Sequence, residues 1–586
     1  MFSGMWRLWS EGRGLPMNAF PPPQVVKGGV YALAPHPIYC GFVLLCAGAA
    51  FLFKSATGLW IITPFAALAC FSLVLGYEAP DLRRRFGANL PEAWLGLPAG
   101  NGFLPFWRRL GTALWVLIPW ALAYLAVKTI GVAADAFETR LAWEFAIPVI
   151  PETMPLYASI YLAVPFTFLL CADRVEMRRL VSGAWMATIL NTLLYLVVPA
   201  TAAFRFAPGK DWLSEWLAWE QRLALPAAGS CPSFHVTWAV LCAASLARGP
   251  LRRTRAFCWL WCLGVSLSCL TTGMHSVADV LFGALTGIIC DRSGELWSWI
   301  IANGERLGNS WKAWRIGPLR IMNHSVWAGL AGFAGLMLAG ISAGSQNPGW
   351  IIVVATSAVV GAGLWAQWVE GSSALLRPFG YYGSVIGGLI ALGVIAVFGG
   401  PVAELLAAFA LASPWVQAIG RLRCLVQGCC HGRPVEWGIR ITNPHSRVTR
   451  LAGFSGTAIH PTPIYSILAN VVIGLLLLRL RFVGASPFLI AGLYLVLAGM
   501  SRFVEEAYRG EPQTARFAGL SLYQWLAVGS ALIGMFFMAI PGPLESPMRT
   551  PSASLIVFSI AAGLVCAFAM SVDFPNSNRR FSRLTG

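Results

Sequence analysis

Long apolar runs separated by short polar loops dominate this chain. About sixteen of these runs are long enough, or nearly long enough, to cross a bilayer as a helix. They fall into three groups, near 31–77, near 111–291 and from about 325 onwards. Because helices satisfy their own backbone hydrogen bonds inside lipid, we predict an all-α, polytopic integral membrane protein with about 16 transmembrane helices in three bundles.

Polar breaks between the groups predict the domain organisation. A first module of two helices covers 1–109, and a six-helix domain covers 110–300. Residues 301–324 carry Trp and Arg and are predicted to form an interfacial linker. A third membrane domain covers 325–586, and its largest polar break is 420–463.

Composition agrees with this class and argues against others. Of the 586 residues, 57% are hydrophobic and 11% are charged, a balance that soluble globular proteins do not show. The formal net charge is +17. No long soluble basic face carries that charge, so we expect no nucleic-acid partner. Basic loops attract anionic headgroups, and membrane phospholipids are therefore the expected partners. The oligomeric state is not predicted.

Loop charge alternates along the second group of apolar runs. The loop at 135–152 is mainly acidic, whereas arginines recur in the loops at 83–109, 174–179 and 252–255. Arginine-rich loops are predicted on the cytoplasmic side. In the third domain the arginines of 420–463 favour the same side, but the family resemblance given below favours the outside, and the orientation of that segment stays open.

Two short motifs in the second group carry candidate chemistry. One is Pro232-Ser233-Phe234-His235, and the other is His275 followed four residues later by Asp279. The spacing predicts that the Asp279 carboxylate shares a helix face with His275 and holds its imidazole, which leaves the other ring nitrogen free to attack. The loop charges place both motifs on the external, periplasm-like face of the cell (inner) membrane. The alternative is a pair of helix-end histidines that reach to the interface.

These motifs resemble those of the membrane-bound type 2 phosphatidic acid phosphatase superfamily over roughly 110–300. The resemblance implies that His275 is a nucleophile that forms a phosphohistidine and that Asp279 orients it. His235 would be the acid for the leaving alcohol, and Ser233 would hold the phosphoryl oxygens. No cofactor is implied for this domain.

The basic residues of that family differ here. Its first motif has no match before residue 230, and Arg205 and Lys210 are the candidates to supply the charge that binds substrate phosphate. Cys269 stands where the third motif has an arginine, which resembles the inositol-phosphotransferase branch. Hydrolysis of a phospholipid and transfer of its phosphoryl headgroup therefore both remain open.

The third domain carries four spaced motifs, which include Gly420-Arg421-Leu422-Arg423, His460-Pro461, Arg502 to Arg509 and Gly519-Leu520-Ser521. They resemble prolipoprotein diacylglyceryl transferase over roughly 317–540. The resemblance implies a phospholipid site and a lipid or lipoprotein acceptor. Its implied substrate-binding residues are Arg421, His460, Arg502, Glu506 and Arg509. The alternative for the arginines is ordinary cytoplasmic anchoring.

Some reacting groups of that family are replaced. Tyr382 stands at the position of its central histidine, and Cys424 and Cys429 replace an asparagine and an acidic residue. A metal site is the alternative for this cysteine- and histidine-bearing region. Its spacing is no standard zinc pattern, and adjacent cysteines seldom bind one ion, so no metal is predicted. The residues of that alternative are Cys424, Cys429, Cys430, His431, His445 and His460.

The first module contains His36-Pro37-Ile38-Tyr39 and, further on, Glu78. It is similar to the isoprenylcysteine carboxyl methyltransferase and phospholipid methyltransferase group. That resemblance implies S-adenosylmethionine as a cofactor, with His36, Tyr39 and Glu78 as its binding residues. Pro35 stands where that group has an arginine, and a vestigial or structural module is the alternative.

The sequence therefore predicts a membrane lipid-modifying enzyme made of three fused modules. Its main chemistry would be phosphohistidine-mediated phosphatase or headgroup-transfer activity. One alternative is a diacylglyceryl transferase in which the other modules are accessory. Another is a lipid transporter or flippase built on degenerate enzyme folds.

Overall fold

The computed structural model divides the chain into two compact units. One comprises Met1–Ala67 and Phe86–Trp299, and the other comprises Leu68–Arg85 and Ile300–Gly586. The division at Trp299 lies beside the predicted end of the six-helix domain, and the four predicted domains remain predictions. The structure describes residues 1–15, 20–87, 90, 92–206, 209, 211–225, 228–343, 348–370, 379–511, 514–542, 548 and 550–576.

Helices form most of the first unit. A parallel pair of two-residue strands, Phe137–Glu138 and Ala200–Thr201, joins two of its loops. The short 3₁₀ turns are Ala142–Ala146, Pro151–Thr153 and Arg252–Thr254. The helices of this unit, with those that lead out of it, are Phe2–Ser10, Val30–Leu33, Pro37–Leu52, Gly58–Ile62 (π), Thr63–Leu73, Phe106–Ile130, Met154–Leu170, Arg174–Val197, Trp212–Ala224, Phe234–Arg248, Arg255–Thr271, Val277–Asp291 and Ser293–Gly308.

Helix Phe234–Arg248 is the centre of this unit. It is apolar around nearly its whole circumference, a pattern typical of a helix surrounded by others. Trp238 and Leu241 on this helix pack with Met177 and Leu180 in the core. The Trp120 and Trp238 rings pack edge to face, with their centroids 5.8 Å apart. This packing fixes the N-terminus of the helix, where Ser233 and His235 lie.

The second unit is also helical. Its helices are Val74–Glu78 (π), Ala79–Phe86, Ser325–Ala343, Pro348–Glu370, Tyr381–Val397, Val402–Gln427, Arg447–Arg450, Thr462–Phe482, Pro487–Tyr508, Leu522–Met538 and Ala553–Ser571. Helix Pro487–Tyr508 is buried along most of its length and packs with Val402–Gln427, Thr462–Phe482 and Leu522–Met538. The functional side chains of this unit project from these central helices.

Short strands join the helix ends of the second unit. Where an interfacial linker is predicted, the antiparallel hairpin Ala313–Ile316 and Leu319–Met322 follows helix Ser293–Gly308. Val572–Asp573 adds a third strand to this hairpin, and Arg320 pairs with Asp573. Two further antiparallel pairs are Pro434–Arg440 with Ala458–Ile459, and Arg516–Phe517 with Leu520–Ser521.

The apolar helices confirm the predicted fold class. Among the described residues, 11 helices are long and apolar enough to cross a membrane, and four shorter apolar helices accompany them. The chain is therefore an all-α, polytopic integral membrane protein. The total of about 16 spans remains a prediction of the apolar pattern.

Candidate functional sites

Two helix N-termini meet in the first unit. Ser233 is the N-cap of helix Phe234–Arg248, and Ser276 is the N-cap of helix Val277–Asp291. The His235 and His275 rings, one at each helix start, have centroids 5.7 Å apart. The helix dipole gives each N-terminus a partial positive charge, which favours an anion such as phosphate. At helix Val277–Asp291 the carboxylates of Asp279 and Glu144 already meet part of that charge, because they accept the Ser276 and Val277 N–H groups.

His275 lies between a hydroxyl and a carboxylate. Its Nε2 is 3.3 Å from Ser233 Oγ, and its Nδ1 is 3.4 Å from Asp279 Oδ2. The prediction that His275 and Asp279 share one helix face is wrong, because His275 precedes helix Val277–Asp291. The pair forms at the helix start instead, where Asp279 Oδ2 accepts the Ser276 N–H at 3.0 Å and Ser276 Oγ accepts the Asp279 N–H at 3.1 Å. This capping box fixes the carboxylate beside the imidazole.

His235 is held by two tyrosines of helix Met154–Leu170. Tyr157 Oη lies 3.3 Å from its Nδ1, and Tyr161 Oη lies 3.2 Å from its Nε2. Tyr161 in turn donates to Glu220. The sequence motifs did not indicate these three residues, although two tyrosines four positions apart on an apolar helix were a visible signal.

Two arginines, the buried Arg140 and the half-buried Arg205, donate to carbonyls in and beside the loop that carries His275. Arg205, predicted to bind phosphate, donates to the carbonyls of Ile147 and Leu270. Arg140, which the sequence reasoning missed within an acidic loop, donates from Nη2 to the Gly273 carbonyl at 3.1 Å. Burial and the nearby Arg140 lower the pKa of Arg205. Two cations packed this closely would be stabilised by an anion.

One nitrogen of each guanidinium stays unused. Arg140 Nη1 and Arg205 Nε are buried and make no hydrogen bond within the described part of the chain. A buried donor without a partner is costly, so these groups favour a bound oxyanion. Lys210, the other predicted phosphate ligand, lies outside the described residues.

A network of buried ions forms the centre of the second unit. Glu505 lies 3.6 Å from Arg421, 2.9 Å from Arg502 and 3.3 Å from Arg509. Glu506 pairs with Arg502 and lies 3.8 Å from Arg509. The structure brings these four predicted residues together and adds Glu505, which makes more of the contacts than Glu506. Glu505 lies within the Arg502 to Arg509 motif, in which the family resemblance implies a role for Glu506 and not for Glu505.

A cavity of about 500 Å³ opens beside this network. Arg421, Arg502, Glu505 and Arg509 line one part of it, and most of the remaining lining is apolar. The Arg502 guanidinium lies over the Tyr523 ring at 5.2 Å. An apolar chamber with a few grouped charges suits an amphipathic ligand.

His460 lies in an aromatic cluster. Its Nδ1 is 3.1 Å from Tyr465 Oη. The centroid of its ring lies 5.1 Å from that of the Tyr508 ring and 5.4 Å from that of the Trp437 ring. Burial and the neighbouring Arg433 lower the pKa of His460. The cavity lining within the described residues does not include His460.

Three cysteines lie at the end of helix Val402–Gln427 and line the same cavity. The Sγ atoms of Cys424, Cys429 and Cys430 are all within 4.8 Å of one another. Hydrogen bonds from the Cys424 and Cys429 thiols, together with nearby arginines, hold the pKa of Cys430 well below its usual range. Two of the histidines considered as metal ligands have other contacts: His431 meets Phe454, and His445 stacks on Trp311 at 4.7 Å.

The methyltransferase-like residues fall into different units. His36 and Tyr39 belong to the first unit, with ring centroids 6.3 Å apart, and Glu78 belongs to the second. Two residues before Glu78, the Gly76 carbonyl accepts a hydrogen bond from Gln524 at 2.9 Å. This part of the module thus supports the second unit, and binding of S-adenosylmethionine remains a prediction.

The fold and its two sites define a polytopic helical membrane protein with a histidine-centred site and a separate arginine-lined cavity. Comparison with known families agrees with this division. Residues 152–290 match the PAP2 superfamily, 311–540 match prolipoprotein diacylglyceryl transferase, and 2–89 match phospholipid methyltransferase. All three resemblances in the sequence are thereby confirmed.

Two curated relatives match the C-terminal part. The chain is 27% identical over 163 residues to the phosphatidylglycerol–prolipoprotein diacylglyceryl transferase of Clostridium tetani, which is 28% of this chain and 64% of that protein. It is 26% identical over 154 residues to phosphatidylglycerol–prolipoprotein diacylglyceryl transferase 2 of Clostridium perfringens, which is 25% of this chain and 59% of that protein. The chain thus spans roughly six tenths of the length of these relatives.

Proposed function

We propose that the chain is a membrane lipid-modifying enzyme whose first unit removes or transfers the phosphoryl headgroup of a phospholipid through a phosphohistidine on His275. The observation that carries this proposal is the contact series Ser233–His275–Asp279, with His235 next to it. The PAP2-superfamily match over the same residues supports it.

In the first step His275 attacks the phosphorus. The Nδ1–H donates to Asp279, so the Nε2 lone pair is available, and the partial positive charge of the two helix N-termini attracts the phosphate. The Nε2–P bond forms as the P–O bond to the leaving alcohol breaks. His235 donates its proton to that oxygen. Ser233 then hydrogen-bonds a phosphoryl oxygen.

In the second step an oxygen nucleophile attacks the phosphohistidine. The O–P bond forms, the nucleophile gives its proton to His235, and the N–P bond breaks to release His275. Water as nucleophile gives hydrolysis, and the hydroxyl of a second lipid gives headgroup transfer. The link from His235 through Tyr161 to Glu220 gives the imidazole a route for proton exchange.

Arg140 and Arg205 would supply the positive charge that the family carries on the basic residues of its first and third motifs. Cys269 is fully buried and supplies no charge, and the charge near His275 therefore comes from these two side chains. Arg140 acts electrostatically on Asp279, which places its charge close to the reacting groups. Positioning and charge are the main requirements of phosphoryl transfer, so this small set suffices.

The second unit is proposed to hold a phospholipid in its cavity. The grouped guanidiniums can grip a phosphate while the apolar lining covers the acyl chains. By analogy with the two clostridial relatives, the diacylglyceryl part of that lipid would pass to a lipid or lipoprotein acceptor. We place the protein in the cell (inner) membrane, with the site of the first unit on the external face, because arginine-rich loops mark the cytoplasmic side.

Lipid mass spectrometry of membranes tests these proposals. Cells that carry the wild-type chain are compared with cells that carry His275→Ala, Arg421→Ala or the matched control His445→Ala. Headgroup release or transfer that disappears in His275→Ala alone supports the phosphohistidine enzyme. Loss in Arg421→Ala with a silent His275→Ala supports the diacylglyceryl transferase instead. Lipid redistribution without any new lipid species would indicate a transporter and contradict both enzymes.

A further inference from the structure

The cysteine cluster in the second unit has a fixed geometry. Helix Val402–Gln427 ends at Gly428, whose φ of 77° reverses the chain and returns Cys429 and Cys430 to Cys424. Both backbone polar groups of Cys430 form hydrogen bonds. Its N–H donates to Glu511 at 3.1 Å, and its carbonyl accepts the Thr462 hydroxyl at 2.6 Å. The three thiols are therefore positioned by the fold rather than by chance contact.

All three sulfurs are free thiols and face the cavity. Cys566 lines the same cavity but does not belong to the cluster. Arg421 and Arg509 line the same cavity as these cysteines. Cationic surroundings favour thiolates, which are the form of cysteine that binds metals.

We propose that Cys424, Cys429 and Cys430 bind one thiophilic cation, Zn²⁺, through three sulfur ligands, with the fourth position open to the cavity. Zn–S bonds of about 2.3 Å require sulfurs about 3.8–4.0 Å apart, so small side-chain rotations from the observed spacing complete the site. Soft sulfur ligands select zinc over the harder cations. The sequence raised these cysteines as part of an alternative metal site, but their spacing matched no standard zinc pattern, and the turn at Gly428 is what brings the adjacent cysteines close to Cys424.

Charge balance supports the same assignment. Three thiolates and one Zn²⁺ carry a net charge of −1, and the guanidiniums of Arg421 and Arg509, which also pair with Glu505, line the same cavity. Binding releases the thiol protons to solvent. Catalytic zinc sites commonly have three protein ligands and an open position, and here a water or a phosphate oxygen of a bound lipid would take that position.

Metal content of the full-length chain in detergent tests the proposal. After incubation with Zn²⁺ and desalting, we expect one zinc per wild-type chain and per Cys566→Ser control, and at least a tenfold weaker affinity in Cys424→Ser, Cys429→Ser and Cys430→Ser. Substitution with Co²⁺ should give a thiolate-to-metal charge-transfer band in the wild type and the control only. Equal zinc retention in Cys430→Ser and the wild type would overturn the proposal.

A measurement on the wild type alone covers the case in which a serine variant fails to fold. Zn²⁺ should slow alkylation of the three cluster cysteines by iodoacetamide at least tenfold and leave Cys566 unaffected, as mapped by peptide mass spectrometry. Equal protection of all four cysteines, or of none, contradicts the site. These readouts do not depend on lipid turnover, so the zinc site and the proposed function can fail separately.

Discussion

The two sites of this chain use charge in opposite ways. In the first unit, two imidazoles lie beside two buried carboxylates, Asp279 and Glu144, at a pair of helix N-termini, and two nearby guanidiniums each have an unused nitrogen. In the second unit, three arginines already pair with Glu505 beside a chamber of about 500 Å³. Within the described residues, the guanidiniums of the first site form no ion pair with a carboxylate, whereas each of those in the second does.

This difference indicates different tasks. A site with unpaired donors and an oriented imidazole is prepared for charge that develops during bond breaking. A neutralised network beside an apolar chamber is prepared to hold an amphipathic molecule in a defined orientation. The comparison therefore supports the proposal that the first unit carries out the phosphoryl chemistry and the second unit retains the lipid.

His235→Ala tests the first half of the comparison and has the largest expected effect. Loss of the acid should lower kcat for a phospholipid by about 10²–10⁴-fold. A nitrophenyl phosphate ester needs no proton on its leaving oxygen, so its first-turnover release of nitrophenol, which precedes the step in which His235 acts as base, should fall far less. Single-turnover kinetics with both substrates in detergent gives the ratio. An equal loss of the first-turnover rate for both esters would mean that His235 is not the acid.

Glu505→Gln tests the second half. Removing the carboxylate leaves three buried arginines under-neutralised, which should lower the free energy of unfolding by about 3 kcal/mol. Glu506→Gln is the matched control and should cost less, because Glu506 contacts fewer arginines at close range. Thermal unfolding of the full chain in detergent measures both. A larger loss in Glu506→Gln would contradict the central place of Glu505.

Gly76→Val tests whether the methyltransferase-like segment stabilises the second unit. A Cβ at Gly76 would lie 2.5 Å from the Phe503 ring, whereas a Cβ at Gly48 would meet no atom within 4 Å. Overpacking at Gly76 should cost about 1–3 kcal/mol and loosen the helix that carries Arg502. Gly48→Val is the control in thermal unfolding. Equal midpoints for the two variants would show that the contact is unimportant.

Tyr161→Phe has the smallest expected effect. It removes the hydroxyl that links His235 to Glu220 and should lower kcat about tenfold with little change in KM. Glu220→Gln should have a similar effect, and the double variant should lose little more, because both act on one chain of hydrogen bonds. Tyr124→Phe is the control, because the Tyr124 ring packs on Phe234 beside the site and its hydroxyl is not hydrogen-bonded to His235. Additive losses would indicate two independent roles.

Sequence reasoning succeeded where neighbours along the chain are neighbours in space. His275 and Asp279 are four residues apart, and one capping box brings them together. Ser233 and His235 likewise belong to one helix start. The alternation of apolar runs and polar loops was enough to predict the fold class, since lipid permits few backbone arrangements.

The missed residues come from distant elements. Arg140 reaches the Gly273 carbonyl from a loop 133 positions earlier, and Glu220 approaches Tyr161 from a helix 59 positions away. Helix packing decides such contacts, and short motifs carry no information about them. His460 shows the converse. It belongs to a family motif, but it packs in an aromatic cluster and is not among the described residues that line the cavity with Arg421, Arg502 and Arg509.

Trapping the intermediate is the most direct test of the central claim. The purified chain is incubated with a phospholipid labelled at its phosphate, quenched in alkali, in which phosphohistidine survives, and digested for mass spectrometry. The proposed mechanism predicts labelled phosphate on His275 of the wild type and none in His275→Ala. Headgroup release by the wild type without any label on the protein, or undiminished release by His275→Ala, would contradict it.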